Sequence, residues 1–265
     1  MSAILRWFVF CRNIVRSLWF QSIFCLAYFL WGLAALPLLV APKKELWRFT
    51  VLGSVYLRNL LRVAGLRIEI RGLNNIPKSG CIIAMKHQSS LETILLLDYF
   101  QDPAFVLKRE LMWIPFFGWF ANKVARVIPV KRNQRAPKAA LKMLNRVRQA
   151  INMGRQVVIF PEGTRRPVGS KPLYKRGIGY LYKRIGSPVI PVALNTGLFW
   201  PRQTLKRYPG KAVIEFLPAI PPGLQTGNFQ EILVKSIEDV SNKLAVEALT
   251  STNPPPVPST WSGSQ

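Results

Sequence analysis

The hydrophobic pattern divides the chain into an apolar N-terminal segment, an alternating central part and a polar tail. No charged residue occurs from Ser17 to Pro42, a stretch of 26 residues that is crowded with aromatic side chains. Such a run is long enough to cross a bilayer as a tilted helix. Arg16 precedes it and Lys43 follows it, and positive charge on both flanks does not orient a single span. Three interpretations of this segment are open: a single span, a hairpin inserted from one side and a buried core helix.

From residue 66 onward, short apolar runs rich in β-branched residues alternate with longer amphipathic stretches. This alternation predicts an α/β fold with a mostly parallel or mixed central sheet of about seven strands flanked by helices. The predicted strands are 66–70, 81–85, 104–107, 126–130, 156–160, 188–194 and 212–217. The predicted helices between them are 89–101, 135–153, 174–186 and 228–249.

The same pattern predicts three regions along the chain. Residues 1–60 form an N-terminal membrane-associated helical segment, and residues 61–249 form the α/β domain. Residues 250–265 are rich in Pro and Ser, a composition typical of disordered tails.

The charge balance is strongly basic. The chain has 37 Lys and Arg against 12 Asp and Glu, which gives a formal net charge of +25. Such a surface attracts nucleic acid, anionic lipid head groups or phosphorylated small molecules. Aromatic residues are concentrated in the N-terminal segment rather than interleaved with basic ones, which argues against binding of single-stranded nucleic acid. We therefore expect anionic membrane lipids as partners, and no nucleic acid.

Basic or catalytic types of side chain follow four of the predicted strands. Ligands of open α/β sheets bind beyond the carboxyl ends of the strands. Arg132 and Arg165 can each clamp a phosphate with paired N–H groups, and Gly163 lets backbone N–H groups approach it. The pattern predicts a pocket for an anion with several oxygens. The residues concerned are Lys86 and His87, then Lys108, Arg109 and Glu110, then Lys131 and Arg132, and finally 161–166.

His87 is the only histidine of the chain, and Glu92 follows five positions later. In one continuous helix the two side chains would point about 140° apart, so they meet only if His87 precedes the helix. Ser89 and Glu92 have the spacing of a capping box, which supports a helix start at that point. In one reading Glu92 only satisfies a backbone N–H group. In the other it bonds one ring nitrogen of His87, and the second nitrogen acts as a general base.

Other common chemistries lack the residues they need. A single histidine argues against the usual zinc sites, so no metal is predicted. Ser89 and Ser90 flank the motif, but no second histidine is present to activate either of them. A covalent seryl intermediate is therefore not favoured.

Four blocks of sequence, taken in order, resemble the glycerolipid acyltransferases. The third block, FPEGTR, matches in full, whereas Glu92 stands where the family usually has Asp. The blocks are KHQSSLE (86–92), LKRELMWIPFFGW with IPVKR (107–119 and 128–132), FPEGTR (160–165) continuing into YKRGIGYL (174–181), and VIPVAL (189–194).

The resemblance implies transfer of a fatty acyl group from acyl-CoA or acyl carrier protein to the sn-2 hydroxyl of lysophosphatidic acid, giving phosphatidic acid without a cofactor. It implies that His87 is the general base and that Glu92 orients it. Backbone N–H groups near residue 89 are expected to stabilise the oxyanion. The positions implied to hold the glycerol phosphate are Arg132, Glu162, Gly163, Thr164 and Arg165, with Lys108 and Lys175 as further basic positions.

An apolar anchor with basic flanks would hold such a site at the level of the lipid head groups. We expect a bacterial inner membrane location with the catalytic domain facing the cytoplasm. One alternative is the same chemistry on another lysolipid or amino-lipid acceptor. The other is a non-catalytic basic protein that coats membrane or nucleic acid, which gives His87 no special role.

Overall fold

A computed structural model describes residues 3–263, except residue 101, residues 124–126 and residues 131–136, with side chains from residue 11 onward. The helices of this part are α1 (Ala3–Ala34), α2 (Lys43–Val63), α3 (Leu91–Leu95), α4 (Phe117–Lys123), α5 (Pro137–Asn152), α6 (Gly177–Ile185), α7 (Thr196–Phe199) and α8 (Thr226–Leu249). The strands are β1 (Leu66–Arg71), β2 (Cys81–Met85), β3 (Ala104–Lys108), β4 (Ile128–Val130), β5 (Gln156–Ile159), β6 (Val189–Leu194) and β7 (Gly210–Phe216).

The strands form one mixed sheet in the order β1-β7-β6-β2-β5-β3-β4. Neighbours are parallel except β6 and β7, which run antiparallel. Strands β2, β5 and β6 are buried along their whole length, as expected for parallel strands covered on both faces. The predicted fold class and the seven predicted strands are confirmed. Residue 127 lies outside β4, and residue 126 of that predicted strand is outside the described residues.

Helices cover both faces of the sheet because successive strand residues point to opposite sides. Ile82 and Ala84 of β2 pack in a core under α5, α6 and α8. Ile83 and Met85 pack in a second core, on the side of α4 and the segment after α3.

The helix predicted over 89–101 is wrong in length. It ends at Leu95 and is followed by a separate 3-10 turn at Leu97–Tyr99. Asp98 in that turn is bonded by Ser54 and Arg58 of α2. These tertiary bonds fix Asp98 in the 3-10 turn, so the chain does not continue as an α-helix. The other three predicted helices correspond to α5, α6 and α8.

Helices α1 and α2 form a pair that is joined to the α/β domain. Pro37 and Pro42 lie in the connection between them, where proline ends a helix or begins one. Trp31 of α1 stacks on Phe49 of α2 with ring centroids 4.6 Å apart. Helix α2 runs through the predicted boundary at residue 60, and Leu61 lies in a core shared with β1.

One helix of the described residues is long and apolar enough to cross a membrane, the part of α1 from Cys11 to Ala34. It contacts the α/β domain along its length. The Ser17 hydroxyl donates to the Arg207 carbonyl at 3.2 Å, and the Tyr28 hydroxyl donates to the Pro115 carbonyl at 2.7 Å. These contacts are about 16 Å apart along the helix, so the domain covers one side of α1 over that distance.

The C-terminal tail contacts the domain at a few positions, and its predicted disorder stays a prediction. Residues 250–263 contain no helix or strand, and most of their side chains are exposed. Pro255 is buried, Trp261 packs against a core that contains Val168 and Trp200, and the Thr260 hydroxyl donates to the Val168 carbonyl at 2.6 Å. Composition predicted the lack of regular structure, but it carried no information about these contacts.

We expect Phe229→Ala to lower the free energy of unfolding by about 3–5 kcal/mol, because it leaves a cavity in a close-packed core. Phe229 is fully buried, and its ring stacks on that of Tyr182 with centroids 3.8 Å apart. Chemical denaturation in detergent measures the loss. The control is Ile232→Ala on the same helix, whose side chain is 42% exposed and whose loss should cost less than about 1 kcal/mol. Equal losses would contradict the described packing of α8.

Candidate active site

The backbone of His87 is fixed by the segment that follows the neighbouring strand. β2 and β5 are adjacent and parallel, so the residues after both strands meet at one edge of the sheet. The His87 N–H donates to Glu162 Oε2 at 2.8 Å, and the His87 carbonyl accepts from the Arg166 N–H at 2.8 Å. The first and third sequence blocks are therefore bonded to each other through this residue.

The side chain of His87 is held by Glu92. The two approach at 3.0 Å between Nδ1 and Oε1, and the Glu92 carboxylate is fully buried. Glu92 Oε1 also accepts the N–H groups of Gln88 at 2.9 Å and Ser89 at 2.8 Å, and Oε2 accepts the Thr196 hydroxyl at 2.9 Å. The contacts of both interpretations are therefore present, since Glu92 accepts backbone N–H groups and also bonds Nδ1 of the imidazole. The role of His87 as a general base stays a prediction.

These bonds determine how the imidazole is presented. A carboxylate can only accept, so Nδ1 carries the proton and Nε2 is the basic nitrogen of the neutral ring. The ring stacks on Phe160 with centroids 4.1 Å apart, and the side chain is 17% exposed. A base held in this way can take a proton from a hydroxyl group that reaches Nε2.

Three of the backbone N–H groups near residue 89 already have partners inside the protein. The N–H groups of Gln88 and Ser89 both point to the Glu92 carboxylate, and the Leu91 N–H donates to the Ser89 hydroxyl at 3.2 Å. Helix α3 is short and starts only at Leu91. The added methylene of Glu92, compared with Asp, lets its carboxylate reach these backbone groups as well as the imidazole.

The Glu162 side chain is bonded inside the protein. Its side chain is buried, and its Oε1 lies 3.7 Å from the Lys86 ammonium. Lys86 is also buried and bonds Glu238 of α8, which accepts the Tyr174 hydroxyl at 2.8 Å. Burial raises the pKa of Glu162, and Lys86 opposes that shift. The Glu162 carboxylate therefore supports the His87 backbone and pairs with a basic group, Lys86. Its implied place among the residues that hold the glycerol phosphate stays a prediction.

Arg165 and Gly163 lie in the turn that follows β5. The Arg165 guanidinium donates to the Ser90 hydroxyl at 2.6 Å. Ser90 is three residues after His87, so this bond holds Arg165 near the histidine. Gly163 has φ +67°, a conformation that favours glycine. A Cβ atom at Gly163 would lie 3.6 Å from Cγ of Lys175, and the Lys175 N–H donates to the Pro161 carbonyl at 2.8 Å. The structure therefore brings Arg165, Gly163 and Lys175 together.

The other predicted phosphate positions differ in how they are placed. Thr164 is half-buried in the same turn. Lys108 ends β3, two strands from β2 in the sheet and about 10 Å away across it, and its ammonium lies 3.6 Å from Glu110. Arg132 lies outside the described residues.

Sequence reasoning missed the contacts of four residues near His87. Thr196 is an ordinary polar residue just after the fourth block, and Ser90 lies inside the first block, where nothing in the sequence links it to Arg165. Phe160 reads as the apolar end of a strand, and only the fold shows that its ring covers the imidazole. Glu238 lies in an amphipathic helix far along the chain, where no local signal distinguishes it from a surface carboxylate.

An apolar cavity of about 280 Å³ lies between the helix pair and the domain. Its walls include Tyr28 and Trp31 of α1, Phe49 of α2 and Phe116 before α4. Thr93 and Ile94 also line it, and these residues directly follow Glu92. The cavity therefore reaches the helix that orients the histidine.

We expect Glu92→Ala to shift neutral His87 from the Nδ1–H form towards the Nε2–H form, because the acceptor at Nδ1 is lost. Glu92→Gln is the matched control, since its amide oxygen can still accept from Nδ1. Imidazole ¹⁵N NMR reports the tautomer directly, and the single histidine makes the signals unambiguous. An Nδ1–H signal that persists in Glu92→Ala would contradict the proposed orienting contact.

Comparison with known proteins gives three findings. Residues 67–195 match the family model described as Acyltransferase. The 1-acyl-sn-glycerol-3-phosphate acyltransferase of Pseudomonas aeruginosa is 38% identical over 212 residues, which cover 78% of this chain and 80% of the relative. The 1-acyl-sn-glycerol-3-phosphate acyltransferase alpha of Mus musculus is 28% identical over 217 residues, which cover 77% of this chain and 75% of the relative.

The fold is also found in a solved structure. The crystal structure of the 1-acyl-sn-glycerophosphate (LPA) acyltransferase PlsC from Thermotoga maritima matches with a TM-score of 0.71 at 21% identity, covering 91% of this chain and 99% of that chain. The family model spans both the His87–Glu92 pair and the turn with Arg165. Together with the 38% identity over most of the Pseudomonas relative, this shows that the chain is an enzyme of the acyltransferase family.

Proposed function

We propose that the chain transfers a fatty acyl group from acyl-CoA or acyl carrier protein to the sn-2 hydroxyl of lysophosphatidic acid, giving phosphatidic acid. The observation that carries the proposal is the His87–Glu92 pair, joined at 3.0 Å beside a turn with a half-buried arginine. The names of the Pseudomonas and mouse relatives support the choice of acceptor.

In the proposed reaction, Nε2 of His87 removes the proton of the acceptor hydroxyl as its oxygen attacks the thioester carbonyl carbon. The new C–O bond forms, and the C–S bond breaks when the tetrahedral intermediate collapses. The thiolate leaves and takes the proton from the imidazolium, which restores neutral His87. Glu92 stabilises the imidazolium through its Nδ1–H, as expected for a base paired with a carboxylate.

The acceptor phosphate is proposed to bind at the turn after β5. Arg165 offers a planar set of donors suited to a phosphate, and its bond to Ser90 keeps it near His87. Lys175 is exposed and lies against Gly163, so its charge adds to the same pocket. Thr164, Lys108 and Arg132 complete the proposed set, and Glu162 supports it from within the core.

The apolar cavity is proposed to hold a fatty acyl chain. It is lined mainly by aromatic and aliphatic side chains and reaches Thr93 and Ile94, beside Glu92. An acyl chain buried there would place its carbonyl end towards His87. Two walls of this cavity belong to α1 and α2, the helices proposed to contact the bilayer.

A hairpin that lies in one leaflet fits the helix pair better than a single span. The domain covers one side of α1 from Ser17 to Tyr28, so lipid cannot surround that part of the helix. The opposite side exposes Leu26, Phe29, Leu30 and Leu33, and such an apolar face inserts into the boundary of head groups and acyl chains. We propose a bacterial inner membrane location with the domain on the cytoplasmic side.

We expect His87→Ala to lower kcat/KM for lysophosphatidic acid by about 10²–10⁴-fold, the usual contribution of a general base. His87→Asn should lose as much, because its amide can contact Glu92 but cannot take the proton. Turnover is measured with purified protein and each thioester donor. Sedimentation with anionic vesicles is the control, and binding should be unchanged. Activity within tenfold of the wild type would rule out His87 as the base.

We expect Arg165→Ala to raise KM for lysophosphatidic acid by about tenfold or more, because a charge-assisted bond to phosphate is lost. The value of kcat should change much less, and KM for the phosphate-free acceptor monoacylglycerol should not change. Arg146→Ala removes the same charge from the exposed face of α5 and is the matched control. A fall in kcat alone would show that Arg165 does not bind the phosphate in the ground state.

A further inference from the structure

The C-terminal tail returns to the turn that carries Arg165. Helix α8 ends at Leu249, and the following residues run without regular structure to Thr260 and Trp261. The Thr260 hydroxyl donates to the Val168 carbonyl at 2.6 Å. This bond joins positions 92 residues apart in the sequence. Its acceptor, Val168, is three residues after Arg165.

The tail backbone lies directly on the next residue of that loop. Gly169 has φ +78°, and a Cβ atom there would lie 2.7 Å from the Thr260 carbonyl oxygen and 2.8 Å from Cα of Trp261. Only glycine leaves room for so close an approach at this backbone conformation. Trp261 packs against the core that contains Val168 and Trp200, so both the backbone and the side chain of the tail contact the loop.

The other side of the same loop touches the active site. The Arg166 N–H donates to the His87 carbonyl at 2.8 Å. A Cβ atom at Gly197 would lie 2.9 Å from both Cγ2 of Val168 and Cβ of Gln88, so both side chains lie against Gly197. The loop at 166–170 therefore lies between the tail and the residues next to the catalytic histidine.

We propose that Thr260 and Trp261 are positioning residues for the acceptor phosphate, which act by holding the loop at 166–170 and with it Arg165. This inference rests on the proposed function of Arg165. The loop has no helix or strand of its own, so a few bonds decide how often it occupies the binding arrangement. The apparent affinity for a ligand falls in proportion to the population that can bind it.

The sequence of the tail suits this task. Pro254, Pro255 and Pro256 restrict the backbone just before the contact, and a restricted chain loses less conformational entropy when it is held in place. A short extended segment with two anchoring residues can therefore remain docked although it buries little surface.

The test compares variants of the full chain. Thr260→Val removes the hydroxyl donor and keeps the shape of the side chain, whereas Thr260→Ser keeps the donor. We expect Thr260→Val with Trp261→Ala to raise KM for lysophosphatidic acid about three- to tenfold, the range of a lost hydrogen bond and its packing. The value of kcat should stay within twofold, KM for monoacylglycerol should not change, and Thr260→Ser should behave as the wild type.

Hydrogen exchange gives a readout that does not depend on turnover. The Arg166 amide should exchange faster in the double variant than in the wild type, while the amides of β2 should not change. An unchanged KM for lysophosphatidic acid, or an unchanged Arg166 amide, overturns the inference. An equal loss on both acceptors also overturns it, because that result indicates general destabilisation.

Arg165→Ala is measured in the same series to separate the two proposals. If it raises KM for lysophosphatidic acid and the tail variants do not, the positioning role of the tail fails alone. If it leaves KM unchanged, the phosphate role of Arg165 fails and the inference about the tail fails with it.

Discussion

The carboxylate of Glu92 is the contact on which the arrangement of the active site depends. It is fully buried and receives donors from His87, Gln88, Ser89 and Thr196. Burying an ionised carboxylate is costly unless it is well bonded, and here both oxygens accept. Because three donors come from consecutive residues, the carboxylate also sets the path of the chain as it leaves β2. The imidazole can then take only a narrow range of orientations.

Buried and exposed charged residues at this edge of the sheet differ in what they can contact. Near His87 the Lys86 ammonium is buried between two carboxylates, those of Glu162 and Glu238. Breaking a buried pair costs more than its formation contributes, so this cluster fixes geometry rather than adding stability. The exposed basic residues of the same edge, such as Lys175, are not buried in this way and are accessible to a phosphate in solution.

The sequence allowed prediction of the sheet and of the contact between His87 and Glu92, because both rest on local signals. Buried parallel strands read as continuous apolar runs, and His87 and Glu92 lie within one short block. Features set by distant contacts could not be read in this way. Asp98 is bonded by α2 and interrupts a predicted helix, and Glu162 turns inward to the His87 backbone although its block suggested a ligand. The docked tail belongs to the same class, since Thr260 has a partner only after folding.

The antiparallel pairing of β6 with β7 decides where the last helix ends. After a strand that runs parallel to β2, the next helix starts at the edge of the sheet that carries His87 and runs away from that edge. Because β7 points the other way, α8 starts at the far edge and returns, over 24 residues or about 36 Å. Because β7 is reversed, the segment after α8 lies at the edge of the sheet that carries His87. An all-parallel version of the sheet would leave that segment on the opposite side of the molecule.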